Sequence, residues 1–194
     1  MPETLKASEA WRQNIGARIG AINGMLEAAV EDVTLEQVNH RERAGVLSIA
    51  FSLAHVVGGQ DRNVARYLDH GPMLWESGKW GERVGYTGEL PMRGTAMKVA
   101  EAVQFKDLGA WREYQDAVFA RTDSAIANTP LAKFDEIAAV ERPPDVTGSF
   151  LFALVPSGPV RLLDVVEAYV FQHAARHLGE IEHARALVGL GGLG

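Results

Sequence analysis

No cysteine occurs in this chain. That excludes disulfides, zinc–thiolate sites and cysteine nucleophiles, and it suits a reducing compartment, so the cytoplasm is the expected location. Long apolar runs are missing too. Nowhere are about 18 apolar residues consecutive, so no membrane span is expected, and the N-terminus lacks the basic-then-apolar pattern of a signal peptide. An excess of basic charge is also absent. The formal net charge is −6, which argues against nucleic acid as a partner, since phosphate binding needs a basic face. No fixed-period repeat or low-complexity block occurs.

What is present is a chain of 194 residues with 47% apolar residues, enough for one domain with a sizeable core. Over 9–33, Trp11, Ile15, Ile19, Ile22, Leu26, Val30 and Val33 recur at steps of three or four, which predicts a long amphipathic helix with Ser8 as its N-cap. Thr34 opens a short turn ahead of a polar link. A second helix is expected over 45–68, apolar almost all round in its first half and stopped by Asp69-His70-Gly71-Pro72. A third runs over 107–128 behind the cap Asp107, and a fourth over 161–188. Four amphipathic helices with variable connections argue for an all-α four-helix bundle.

The connections differ in character. Residues 71–93 hold five glycines, two prolines, Trp75, Trp80 and Tyr86, a long aromatic-rich loop. Thr95 is read as the cap of a short helix reaching Val103. Residues 129–160 are proline-punctuated, and the runs FDEIAAV and SFLFALV could pair as a small hairpin within 134–155. The terminal Gly189 and Gly191-Gly192 suggest a frayed tail.

The informative chemistry lies on the last helix. His173 and His177 are spaced i, i+4, which puts both rings on one face. At 100° per residue they fall in the stripe of Val166, Val170, Ile181 and Val188, pointing into the core, whereas His183 lies off it and His70 sits in a turn. The pair is either two hydrogen-bonded core histidines or two ligands of one metal ion. A third ligand would have to come from another helix, and His55 is the candidate. Periodicity does not say where His55 faces. The small residues beside it, Ser48, Ser52 and Gly59, mean either close helix packing at Gly58-Gly59 or room left beside a metal.

Other residues are candidates on weaker grounds. Glu180, two turns past His173, could accept an N–H from a ligand, act as a catalytic proton acceptor, or be a solvated boundary residue. Gln60 and Arg62 follow the glycines; Arg62 could hold a cosubstrate carboxylate or make a surface ion pair. Trp75 and Trp80 could cap a pocket or simply pack the loop.

The segments SIAFSLAHVVGGQDRNV (48–64) and FQHAARHLGEIEHARAL (171–187), with the Trp-rich connection after the first, resemble the DinB-like superfamily. That is a family of metal-binding four-helix bundles including thiol-dependent S-transferases and mycothiol-dependent maleylpyruvate isomerases. The resemblance covers most of the chain, to about Leu190. It implies a metal triad of His55, His173 and His177. Histidine at both helix-four positions, where the isomerase branch is thought to use a carboxylate at one, leans toward the transferases. Three neutral histidines leave a divalent ion with open positions. Zinc is the first expectation, with nickel, iron or manganese compatible with the same ligands. Such an ion could activate a thiol, which must be a cosubstrate because the chain has none, for attack on an electrophile. It could instead activate water for hydrolysis, with Glu180 or Asp61 as base, or merely brace the bundle. A homodimer is plausible, as related bundles often pair.

Overall fold

The computed structural model describes residues 3–142 and 144–193, with side chains from residue 9 onward. Its helices are α1 (Glu3–Glu31), α2 (Leu35–Asn39), α3 (Ile49–Tyr67), α4 (Leu74–Ser77), α5 (Trp80–Val84), α6 (Met97–Ala100), α7 (Leu108–Asn128), α8 (Phe150–Leu154), α9 (Leu162–Val165) and α10 (His173–Leu187). Seven π-helical residues, Val166–Gln172, join α9 to α10. The long helices close a square, in which α1 and α3 each pack against both α7 and α10. The expected all-α bundle is present.

The helix boundaries follow local chemistry. The Ser48 side chain accepts from the Phe51 N–H at the start of α3, Asp107 from Ala110 at the start of α7, and Thr34 forms a capping box with Gln37 on α2. Each satisfies donors that a helix start leaves free. Ser8 is not at a helix start, because α1 already begins at Glu3. Thr95 closes a turn onto the Met92 backbone instead of capping α6. The stripe of α1 is buried as expected, with Ile15, Ile19, Leu26 and Val30 in the core, and Val33 just beyond the helix is buried too.

The exposed C-terminal end of α1 is closed by arginines from two other helices. Arg185, itself buried, donates to the Ala29 carbonyl and to Asp32 at 2.7 Å. Arg112 donates to the Val30 carbonyl. Cations at a helix C-terminus satisfy free carbonyls and oppose the helix dipole. The tail after α10 is not frayed. Gly189 sits at φ +81°, its N–H reaches the Ala186 carbonyl and the Leu190 N–H that of Arg185. This is a Schellman closure, and its apolar partners Leu190 and Leu193 pack on the core.

The hairpin expected within 134–155 does not form. Among the described residues that region holds a 3-10 turn at Leu131–Asp135, a single bridge between Ile137 and Arg161, and the helix α8. Leu151 and Phe152 bury from one helical turn against Val160, Val165 and Ala168. A five-residue apolar run suits a strand or a helical turn equally, and the neighbouring surface decides. Among the described residues, no helix is long and apolar enough to cross a membrane.

Candidate metal centre

His55 extends from the middle of α3, and His173 and His177 from the first turns of α10. Their ring centroids lie 4.5–4.9 Å apart, and one nitrogen from each falls within 4.8 Å of the others. The Nε2 atoms of His55 and His173 are 3.1 Å apart. Two donors bound tetrahedrally at 2.0–2.1 Å would be separated by about 3.3 Å, so this spacing needs little adjustment to accept an ion. The group can hold a divalent cation.

The far sides of the rings set the tautomers. His55 Nδ1 lies 3.3 Å from the Pro91 carbonyl. A carbonyl only accepts, so Nδ1 carries the proton and the Nε2 lone pair points at the other rings. His177 Nδ1 lies 2.7 Å from Glu180 Oε2, which leaves its Nε2 likewise free to ligate. A carboxylate behind a ligating imidazole orients the ring and raises its basicity. Burial, and then the neighbouring His177, pushes the His55 pKa down to about 4. Burial, then His177 and His55, takes His173 to about 3. Both rings are therefore neutral near pH 7, the protonation state a metal requires.

Gly59 shapes the centre. A β-carbon there would stand 3.1 Å from His173 Cε1, so the ring lies against bare backbone of α3. At Gly58 the same atom would meet Leu90 Cδ1 at 2.8 Å. Of the two adjacent glycines, one admits a loop side chain and the other admits a histidine of the centre.

The histidines are not in the core proper. The buried face of α10 is Ala174, Leu178, Ile181, Ala184 and Arg185, and His173 and His177 lie half-buried on its flank. Val166 and Val170 bury in a different cluster, with Ile15 and Ile19. The π-helical turns interrupt the 100° register on which one straight stripe depends. The flank position matters because it opens on a cavity of about 870 Å³ lined by all three histidines.

Several other candidates are elsewhere. Gln60 is buried between α3 and α7, donating to Thr122 Oγ1 at 2.9 Å, and does not line the cavity. Trp75 packs edge-on to Tyr114 of α7 with centroids 5.0 Å apart, and Trp80 also stacks there, so neither covers the histidines. Asp61 is fully buried and spent. It accepts from the Leu74 and Trp75 N–H groups, the Tyr114 hydroxyl and Arg121, tying the aromatic loop to α3 and α7. Arg62 does line the cavity. The wall that the sequence did not reveal comes from 141–142, 144–152 and the π-helical turns, which supply Tyr169 and Gln172. Phe150 and Met92 are left exposed there, as apolar residues at a binding site often are, but that exposure is visible only in the folded chain.

A family model described as the DinB superfamily matches residues 21–181. The crystal structure of a conserved protein of locus from Enterococcus faecalis shares the fold, with a TM-score of 0.71 at 18% identity, covering 91% of this chain and 96% of that one. No curated protein sequence matches the chain.

Proposed function

Because this chain belongs to the DinB superfamily, we propose that it is a divalent-metal-dependent enzyme that transfers a low-molecular-weight thiol to an electrophilic small molecule. The observation that carries this reading is three imidazoles converging on the wall of an accessible cavity, with no fourth ligand in their group among the described residues. Such a donor set suits an ion with open positions, as catalytic sites have, rather than a closed structural site. A divalent ion there would supply Lewis acidity, lowering the pKa of a coordinated thiol; zinc fits the ligands best, and nickel, iron or manganese fit them too.

The chain's own residues prepare the site. The Pro91 carbonyl and the Glu180 carboxylate hold the Nδ1 protons of His55 and His177, so each Nε2 faces inward. Glu180 is thus a positioning residue, acting through His177. Gly59 lets the His173 ring sit against α3. In the transfer, the thiol loses its proton to solvent and its sulfur forms a C–S bond, while either a C–Cl bond breaks to release chloride or an epoxide C–O bond breaks and its oxygen takes a proton from solvent.

A hydrolase would need a free general base beside the ion. Asp61 is buried on the far side of α3 from the centre, and Glu180 is engaged with His177 and faces Arg176 at 3.9 Å. Thiol transfer asks for no such base, which favours it.

The test incubates zinc-loaded protein with mycothiol, bacillithiol or glutathione and a chlorinated or epoxide electrophile, and follows the adduct by mass spectrometry. Adduct above the uncatalysed background, lost in His177→Ala, is the expected result. Background rates with all three thiols would overturn the reading.

A further inference from the structure

The cavity beside the histidines carries a charge opposite to that of the whole chain. Arg62, Arg93, Arg142 and Arg176 line it, against Glu141, with Glu180 behind His177 as a second acidic group nearby. The protein as a whole is at −6. Most arginines elsewhere are matched with carboxylates, among them Arg12 with Glu9, Arg18 with Glu167, Arg121 with Asp61 and Asp69, and Arg185 with Asp32. In the cavity they are not. Among the described residues, no carboxylate lies within 4.0 Å of the guanidinium groups of Arg62, Arg93 or Arg142, and Arg176 has only the loose 3.9 Å approach to Glu180.

Arg62 is the telling member. It stands two turns beyond His55 on α3, half-buried, and its only hydrogen-bond partner among the described residues is the Leu90 carbonyl at 3.4 Å. A guanidinium has five donors in a planar fork, and none of the Arg62 nitrogens is buried without a partner, so its free donors face the cavity, where an anion can reach them. Arg93 and Arg142 are each held by one backbone carbonyl, of Thr147 at 2.7 Å and Val155 at 2.8 Å. Their remaining donors are uncommitted. Facing them is an apolar surface: Phe152, over which Arg142 lies at 4.3 Å, with Leu151, Ala168 and the exposed Phe150 and Met92.

We propose that the cavity binds a small organic carboxylate with an apolar body, its carboxylate received by Arg62 with the rim arginines and its body laid against Phe150, Phe152 and Met92. This rests on the proposed function only in taking that molecule as the acceptor of the thiol. Planar carboxylates pair with guanidinium forks through two hydrogen bonds at once. A cavity of about 870 Å³ is of the size that encloses an organic molecule rather than a bare ion.

The test measures binding without turnover, by calorimetry on full-length protein stripped of metal with a chelator and, separately, loaded with zinc. The probes are phenylbutyrate, its neutral amide phenylbutyramide, and inorganic phosphate. Phenylbutyrate should bind the metal-free protein, and the amide at least about tenfold more weakly. Arg62→Gln should weaken phenylbutyrate by about tenfold, Arg176→Gln, on the exposed flank of α10, by less, and Arg66→Gln, which stacks on Tyr67 outside the cavity, not at all. Melting curves confirm that the variants fold, and Arg176→Gln supplies the answer if Arg62→Gln does not. Equal binding of carboxylate and amide would overturn the proposal. So would phenylbutyrate binding only when zinc is present, or phosphate binding as tightly as phenylbutyrate. Carboxylate binding with no thiol adduct would sink the transfer reading and leave this one standing.

Discussion

Gly59→Ala separates the needs of the helix from the needs of the metal centre. Alanine in a helix interior is favoured over glycine by about 1 kcal/mol, so helix propensity alone predicts a more stable protein. The new β-carbon, however, would lie 3.1 Å from His173 Cε1, about 0.4 Å inside the 3.5 Å at which carbon atoms rest in contact. The His173 ring has to give, since α3 packs along its length against α7 and α10. Metal sites tolerate donor displacements of about 0.2 Å, so the shift is large enough to matter. The expected result is a zinc affinity lower by about 10–100-fold, the loss typical when a ligand's support is disturbed, with the melting temperature of the metal-free protein equal or higher. Gly20→Ala is the control, because nothing lies within 4 Å of a β-carbon there; it should stabilise and leave zinc binding alone. Competition against a fluorescent chelator gives the affinity, and calorimetric melts of stripped protein give the stability. Wild-type zinc affinity in Gly59→Ala would refute the claim that this glycine exists to seat His173.

Glu180→Gln keeps the size of the side chain but removes the charge behind His177, and zinc affinity should fall by about 10–100-fold while the melting temperature of the metal-free protein stays put. Protons should destabilise the metal-free protein. The folded pKa values of His55 and His173, about 4 and about 3, lie below the unfolded 6.5, so the unfolded chain binds more protons in between. Stability that is present above about pH 6.5 is therefore lost as pH falls through that window, and urea melts from pH 7 to pH 4 should show the loss flattened in a His55→Gln, His173→Gln double variant. Asp61→Asn should cost about 1–3 kcal/mol, because the Leu74 and Trp75 N–H groups, the Tyr114 hydroxyl and Arg121 lose a charged acceptor while Arg121 keeps Asp69, without changing zinc affinity; a large affinity change would mean that Asp61 serves the centre after all. Arg185→Met should lower stability through the unsatisfied Ala29 carbonyl and Asp32, by about 1–3 kcal/mol in a urea titration.

Much of this protein was legible in one dimension, because periodicity and capping are local. The four long helices, the cap Asp107, and the one-face geometry of His173 and His177 depend on residues within a few positions of each other. What failed needed partners from far along the chain. SFLFALV formed a helical turn because Val160, Val165 and Ala168 offered it a surface. Gln60 and Trp75 looked toward α7 and away from the histidines, because Thr122 and Tyr114 were waiting there. The π-helical turns shifted the last helix's register, moving the histidines from an expected core stripe to the edge of a cavity. Spacing alone could pair the two rings on one helix; only the packing of α3 against α10 could bring His55 to them, open a path to solvent, and gather four arginines from separate segments around it.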